Sequence, residues 1–146
     1  HLTIIGDGED EKKLKNMVSN LAIVDKVKFI GFSNIANSYI AAADYLLLPS
    51  RWEGLPNIAL ESLILGTPVI SFKEIVGLND FEYEISLGSI RLCKQDAEME
   101  YILNTIKPRK DYLKPIIRNS LLNNFNNPKT YAKKIELMIE DLSVAK

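Results

Sequence analysis

The sequence predicts an α/β fold in which a Rossmann-like parallel sheet carries helices on both faces. Short apolar runs alternate with segments of helical periodicity along most of the chain, which is typical of βα units. Several of these runs are almost continuously apolar, as in strands buried on both faces of a sheet. Each of the first two runs ends in a turn that contains glycine.

The first half of the chain predicts four strands, at residues 2–5, 27–30, 45–48 and 67–72. After the first strand comes a helix with acidic residues in its first turn, where they complement the helix dipole. Its apolar positions recur at helical spacing and predict a core face made of Leu14, Met17, Val18 and Leu21. A short helix at residues 34–42 leads to the third strand.

The helix after the third strand has recognisable signals at both ends. Pro56 suits the first helical position, where its missing N–H is harmless. Gly66 ends the helix in the residue type that tolerates a left-handed cap.

The rest of the chain begins with residues 73–87, which predict a loop with a short turn of helix, and residues 89–93, which predict a fifth strand. Three helices should follow. Their apolar faces are Met99, Ile102, Leu103 and Ile106; then Leu113, Ile116, Ile117 and Leu121; and, after Asn127 and Pro128, Tyr131, Ile135, Met138, Ile139 and Leu142.

Length and composition predict a single domain over residues 1–146 in a reducing, cytoplasmic setting. A net charge of −1 gives no field that would attract nucleic acid. The lone Cys93 excludes an internal disulfide and is interpreted as a small core residue. Because the chain starts at His1, directly before a strand, we expect it to be part of a longer protein. This terminal histidine is a poor candidate for a catalytic base.

Two carboxylates form the most informative pattern, Glu53 in the turn after the third strand and Glu61 in the following helix. Ligands of open α/β sheets bind at the carboxyl ends of the strands, where the turns 6–8, 31–33, 49–56 and 72–77 should gather. The N–H groups at the start of the helix suit phosphate oxygens. Glu61 could accept ribose hydroxyls and Glu53 the hydroxyls of a sugar beyond the phosphates, which together outline a nucleoside diphosphate sugar.

Two structural alternatives stay open from spacing alone. Glu61 could pair with Arg51 or a lysine, and Glu53 could be a solvated loop charge. For Arg51, structural support of the loop ranks ahead of pairing with a glutamate, and Lys73 is more simply a surface lysine than a phosphate ligand.

The ordered motifs of the chain resemble the C-terminal, nucleotide-sugar-binding domain of the family 4 retaining glycosyltransferases, which have the GT-B fold of two Rossmann-like halves. The resemblance covers most of the chain. It rests on Ile5-Gly6-Asp7-Gly8, Val27-Lys28-Phe29-Ile30-Gly31-Phe32, Ala43-Asp44-Tyr45, Leu48-Pro49-Ser50-Arg51, the E-x7-E pair Glu53 and Glu61, and Gly66-Thr67-Pro68-Val69-Ile70.

This resemblance implies a role for each matching position. Glu61 would hold the ribose, and Glu53 would lie beside the donor hexose as the catalytic group that positions and stabilises rather than as an established covalent nucleophile. The backbone amides of Gly54, Leu55 and Asn57 would contact the hexose and distal phosphate, and Gly31, Phe32 and Ser33 would border the base. The implied reaction transfers a hexose to a hydroxyl with retention and requires no metal or cofactor, so helix N-termini and basic side chains would stabilise the departing diphosphate.

The resemblance is incomplete in two respects. The basic residues that grip the diphosphate in the family, and its N-terminal acceptor domain, lie outside this chain. We therefore expect a fragment that is inactive alone, whose acceptor is a glycan or a lipid-linked sugar held by the missing domain. The composition, rich in Ile, Lys and Asn, hints at a bacterium of low GC content. For such a source the resemblance implies bacterial surface glycan synthesis by a cytoplasmic enzyme, whose attachment to the inner face of the membrane would rest with the missing domain.

Three other function classes are alternatives to a glycosyltransferase. A non-catalytic Rossmann-like binding or regulatory module is the main alternative. A dinucleotide-dependent oxidoreductase fits poorly because Glu11 replaces the third glycine of its fingerprint. A phosphoacceptor receiver domain fits worse, since Leu48-Pro49-Ser50 stands where an aspartate is needed.

Overall fold

The structure is a computed structural model that describes residues 1–108 and 113–125, without the side chains of residues 82–84 and 120–125. It contains two compact units, His1–Tyr39 and a second that starts at Ile40. Both are α/β with parallel strands, so the predicted fold class is confirmed. Within the described residues, the strands form a two-stranded sheet in the first unit and a three-stranded sheet in the second.

The first unit is built on two parallel strands, β1 (Leu2–Ile5) and β2 (Val27–Gly31), with Leu2 opposite Val27. Helix α1 (Glu11–Asn20) connects them, followed by a short 3₁₀ turn. The predicted core face of α1 is wrong, because none of its residues is buried. Periodicity detects an amphipathic helix, but burial also requires a partner surface. A sheet of two strands offers little apolar surface to cover α1.

Helix α2 (Ala36–Ala42) leads into the second unit, whose strands β3 (Leu46–Leu48), β4 (Val69–Phe72) and β5 (Ile90–Cys93) lie side by side in that order. All are parallel. The observed strands lie within the predicted segments or extend one residue beyond them. The helices of this unit are α3 (Asn57–Ile64), α4 (Val76–Asn79), α5 (Glu82–Leu87), α6 (Asp96–Thr105) and α7 (Leu113–Phe125).

One segment holds more structure than its sequence predicts. Residues 73–87 contain two helices, α4 and α5, rather than a loop with one turn. Ile75, Leu78 and Phe81 are buried in the core, and this tertiary burial orders a stretch that has weak helical periodicity. The helix predicted after Pro128 lies outside the described residues.

The three-stranded sheet is covered on both faces, as predicted. Side chains alternate across a strand, so Val69 faces one cluster with Leu63 of α3 and Ile117 of α7, whereas Ile70 faces another with Met99 of α6. Cys93 is buried in the second cluster. Burial, with a smaller contribution from Glu98, raises the pKa of its thiol. This is the core role expected for the cysteine.

The carboxyl end of α3 is closed by the predicted glycine cap. Gly66 has a φ of 77°, and its N–H donates to the Leu63 carbonyl at 2.9 Å. The N–H of Thr67 donates to the Ser62 carbonyl at 2.8 Å, which completes a Schellman motif. A Cβ on Gly66 would lie 2.7 Å from the carbonyl oxygen of Lys114 in α7. Glycine is therefore required here both by its φ and by the approach of α7.

Within residues 1–108 and 113–125, the helices are too short or too polar to traverse a lipid bilayer.

Candidate functional site

The candidate site lies at the carboxyl edge of the three-stranded sheet, where the segments after β3, β4 and β5 leave on the same side. Helix α3 begins there, one residue later than predicted: Pro56 is the N-cap, with extended backbone at φ −73° and ψ 119°. In the described part of the chain, the N–H groups of Asn57 and Ile58 have no acceptor and no side chain caps them. They are available to an anion, and the helix dipole favours one there.

Glu61 lies on the outward side of α3. Its side chain is exposed, whereas Ala59 and Leu63 of the same helix are fully buried. The carboxylate therefore carries no burial cost, contrary to what its apolar neighbours in sequence imply. Among the described residues it has no ion pair or hydrogen bond, so the pairing with Arg51 or a lysine is wrong.

Glu53 is also exposed and, within the described residues, has no ion pair or side-chain hydrogen bond. It belongs to a loop of four consecutive exposed residues, 51–54, between β3 and α3. A solvated loop charge and a ligand carboxylate are both compatible with this placement. The two glutamates thus stand on one continuous segment, Glu53 ahead of the helix and Glu61 within it.

Arg51 holds the start of this loop. One of its terminal nitrogens, Nη2, donates to both carboxylate oxygens of Asp96, at 2.9 and 3.0 Å. Its guanidinium lies 5.2 Å from the ring centre of Phe72. Because Phe72 ends β4 and Asp96 begins α6 after β5, the arginine reaches across the sheet edge. This confirms structural support as its role. Lys73 is exposed, as expected for a surface lysine.

Gly77 of α4 holds the other end of the loop. Its N–H donates to the Gly54 carbonyl at 3.2 Å. A Cβ on Gly77 would lie 2.7 Å from that oxygen and 2.8 Å from Cα of Leu55. Only glycine lets the two backbones approach so closely. The Asn79 side chain adds a hydrogen bond of 3.1 Å to the carbonyl of Lys73, which ties α4 to the end of β4.

The turn Gly31–Phe32–Ser33 belongs to the first unit. Gly31 has a φ of 73°, and its carbonyl accepts a hydrogen bond of 2.8 Å from the N–H of Gly6. The two glycine turns of that unit are therefore in contact. Phe32 is 80% exposed, and the Ser33 hydroxyl accepts from the N–H of Ile35 at 3.3 Å.

The structure brings the predicted site residues together in two groups. Glu53, Gly54, Leu55, Asn57 and Glu61 form one, and Gly31, Phe32 and Ser33 form the other. Their convergence on one ligand stays a prediction. Among the residues that the structure describes, no three His, Cys, Asp or Glu side chains cluster in a way that could hold a metal ion.

Two residues that shape the site were missed from the sequence, Gly77 and Asp96. For Gly77, the only local signal of such a role was a glycine inside a helical stretch. For Asp96 there was no local signal, because an acidic residue in the first turn of a helix is common and its partner Arg51 lies 45 residues away.

The fold is shared with solved glycosyltransferases of the GT-B class. The chain superposes on HepE from Anabaena, solved in complex with UDP and with UDP-glucose, with a TM-score of 0.66. The match covers 97% of this chain and 40% of HepE at 22% sequence identity, which shows a shared fold. The chain belongs to the family glycosyl transferases group 1, whose model matches residues 1–84.

Curated relatives agree with this membership. An uncharacterized glycosyltransferase of Haemophilus influenzae is 32% identical over 149 residues, which cover 100% of this chain and 37% of the relative. The lipopolysaccharide core biosynthesis glycosyltransferase LpsE of Rhizobium meliloti is 35% identical over 73 residues, which cover 50% of this chain and 22% of LpsE. The matches thus span less than two fifths of the length of either relative.

Proposed function

We propose that this chain is the donor-binding domain of a retaining glycosyltransferase, which moves a hexose from a nucleoside diphosphate sugar to a hydroxyl acceptor. One observation carries the proposal. Helix α3 starts with uncapped N–H groups and carries Glu61, which is exposed and, within the described residues, unpaired. The loop before α3 carries Glu53 and is restrained at Arg51. This arrangement occurs in a chain of the glycosyl transferases group 1 family.

The donor binds along this segment in order. Glu61 accepts hydrogen bonds from the two ribose hydroxyls, each worth about 1.5–3 kcal/mol for a charged acceptor. The diphosphate lies at the N–H groups of Asn57 and Ile58, and the hexose lies beside Glu53, with amides of Gly54 and Leu55 near it. The complexes of HepE with UDP and UDP-glucose support a donor of this class.

The reaction exchanges one glycosidic bond for another. The bond between the anomeric carbon and the diphosphate oxygen breaks, the acceptor hydroxyl forms the new bond with the same anomeric configuration, and its proton passes to the departing diphosphate. Negative charge grows on the leaving diphosphate, where the N-terminus of α3 offers preorganised donors. Glu53 orients the hexose and stabilises the positive charge that develops at the anomeric carbon.

The acceptor is a glycan or a lipid-linked sugar bound by a further domain of a longer protein. The lengths of the curated relatives support such a domain, and the name of LpsE supports bacterial surface glycan synthesis. We place the reaction in the cytoplasm, at the inner face of the membrane.

The donor site is tested by titrating ¹⁵N-labelled chain with UDP, ADP and GDP. We expect one nucleotide to shift the amide resonances of residues 54–61. Glu61→Ala should weaken its binding about tenfold or more, because two charged hydrogen bonds are lost. Glu100→Ala, which removes an exposed carboxylate from α6, is the matched control and should bind normally. Unchanged affinity in Glu61→Ala would exclude the ribose assignment.

A non-catalytic binding module remains the second candidate, and one observation favours it. Arg51 is the only basic residue of segment 49–61, and Asp96 holds it, so this segment offers no free cation to the diphosphate. Glu53→Gln in the longer protein separates the two candidates. A transferase should lose sugar transfer and keep nucleotide binding, whereas a binding module should bind the nucleotide sugar and transfer nothing even as wild type.

A further inference from the structure

The loop that carries Glu53 also presents a large aromatic side chain to solvent. Trp52 is 85% exposed, and in the part of the chain that the structure describes its indole has no hydrogen bond or ring contact. It is the only tryptophan of the chain. Single exposed apolar residues are common on protein surfaces. A function for Trp52 must therefore be argued from the residues around it.

The loop is held at Arg51 and at Gly54, on either side of Trp52 and Glu53. On one side Arg51 binds Asp96 through two hydrogen bonds and lies over the ring of Phe72. On the other side the Gly54 carbonyl accepts from Gly77, whose missing side chain lets α4 contact the loop backbone. Trp52 and Glu53 are therefore displayed from a short segment with restrained ends.

These restraints contribute little to stability. The Arg51 and Asp96 side chains are 66% and 75% exposed, and ion pairs in water are weak. The loop buries none of residues 51–54. What the restraints do provide is a defined position for an aromatic face next to a carboxylate, and preorganisation of this kind raises affinity by lowering the ordering cost of binding.

We propose that Trp52 is a sugar-stacking residue, whose indole face packs on the C–H face of a pyranose ring while Glu53 accepts hydroxyls of the same ring. An aromatic face supplies large, rigid contact area, and a neighbouring carboxylate supplies directional hydrogen bonds. The pyranose is the hexose of the nucleotide-sugar donor. This inference rests on the proposed donor site, because it needs a sugar at Glu53.

The fluorescence of the chain gives a direct readout, because all tryptophan emission comes from Trp52. Quenching by acrylamide is measured with UDP-glucose, UDP-galactose, ADP-glucose and GDP-mannose, each against its own nucleoside diphosphate. Methyl glycosides of the same hexoses, added with the nucleoside diphosphate, are the control for a pyranose that is not linked to a nucleotide. Free N-acetyltryptophanamide corrects for light absorption by the nucleotides.

We expect a sugar ligand to protect Trp52 from acrylamide and a nucleoside diphosphate alone to leave it accessible. Protection by a nucleotide sugar supports the stack on the donor hexose, whereas protection by a methyl glycoside and by no nucleotide sugar overturns it. Nucleotide binding without protection by any sugar overturns the proposal while the donor site stands. Protection by phosphatidylglycerol vesicles alone also overturns it and favours a membrane contact. Absence of all nucleotide binding overturns the donor site and the stack together.

Two variants separate stacking from a general effect on the loop. Trp52→Ala should reduce the affinity gained from the sugar about two- to tenfold, while the affinity for the nucleoside diphosphate stays unchanged. Trp52→Phe keeps an aromatic face and should retain most of the gain. Equal losses in both variants, or equal losses for nucleotide and nucleotide sugar, would show that the ring does not stack on the sugar.

Discussion

The two ends of helix α3 differ in almost every physical respect. At the carboxyl end Gly66, Thr67 and Pro68 are buried, a Schellman motif closes the helix, and α7 approaches the glycine cap. At the amino end the preceding loop is exposed, N–H groups of the first turn are uncapped, and the restraints come from an exposed ion pair and one glycine contact.

Helix α3 thus has its buried, capped end and its exposed end at opposite termini, with the proposed donor site at the exposed end. Burial and capping at Gly66 hold α3 against the core, so the exposed end needs little packing of its own to be presented at the sheet edge. Substitutions at the carboxyl end should therefore lower the free energy of unfolding, whereas substitutions at the amino end should lower affinity at nearly constant stability.

The largest expected effect is on stability, from Gly66→Ala. A φ of 77° costs a side-chain-bearing residue about 1–2 kcal/mol. Overpacking against Lys114 adds roughly 1–3 kcal/mol. Gly88→Ala is the matched control, since Gly88 has the same φ and no described atom within 4 Å of its added Cβ. Urea unfolding should show a clearly larger loss for Gly66→Ala, and equal losses would mean that α7 does not confine the cap.

A smaller loss of stability with a clear loss of affinity is expected for Gly77→Ala. The new methyl group displaces the backbone at Gly54 and Leu55, at a cost of about 1–3 kcal/mol. The better helix propensity of alanine offsets up to about 1 kcal/mol of it. Amide resonances of residues 54–58 should move and nucleotide binding should weaken. Val76→Ala, at the exposed neighbouring position, serves as control. Normal binding by Gly77→Ala would show that the glycine contact does not position the loop.

The smallest effect on stability is expected from the pair Arg51 and Asp96. A double-mutant cycle with Arg51→Ala and Asp96→Ala should give a coupling of about 0.2–1 kcal/mol in unfolding experiments, reduced by salt. Either single variant should still weaken binding of the nucleotide sugar, because the loop loses its restraint. If the cycle showed strong coupling and binding stayed normal, the ion pair would belong to the stability of the fold rather than to the site.

Much of the fold could be predicted from the chain itself. The strand segments, the glycine cap at Gly66 and the core role of Cys93 follow from local patterns that the structure confirms. The core face predicted for α1 is wrong, because an amphipathic helix is buried only where a partner surface exists. The two helices within residues 73–87 could not be predicted from local patterns, because burial of Ile75, Leu78 and Phe81 orders them.

The order of βα units, the resemblance to glycosyltransferases and the spacing of Glu53 and Glu61 follow from the sequence alone, since they depend on residue types at short range. Only the folded chain shows that Glu61 faces outward, that Arg51 binds Asp96 and that Gly77 contacts the loop. Such features depend on contacts between segments distant along the chain, which no local pattern encodes. The placement of the exposed Trp52 depends on both sequence and fold. The sequence puts it next to Glu53, and the fold restrains the loop that presents it.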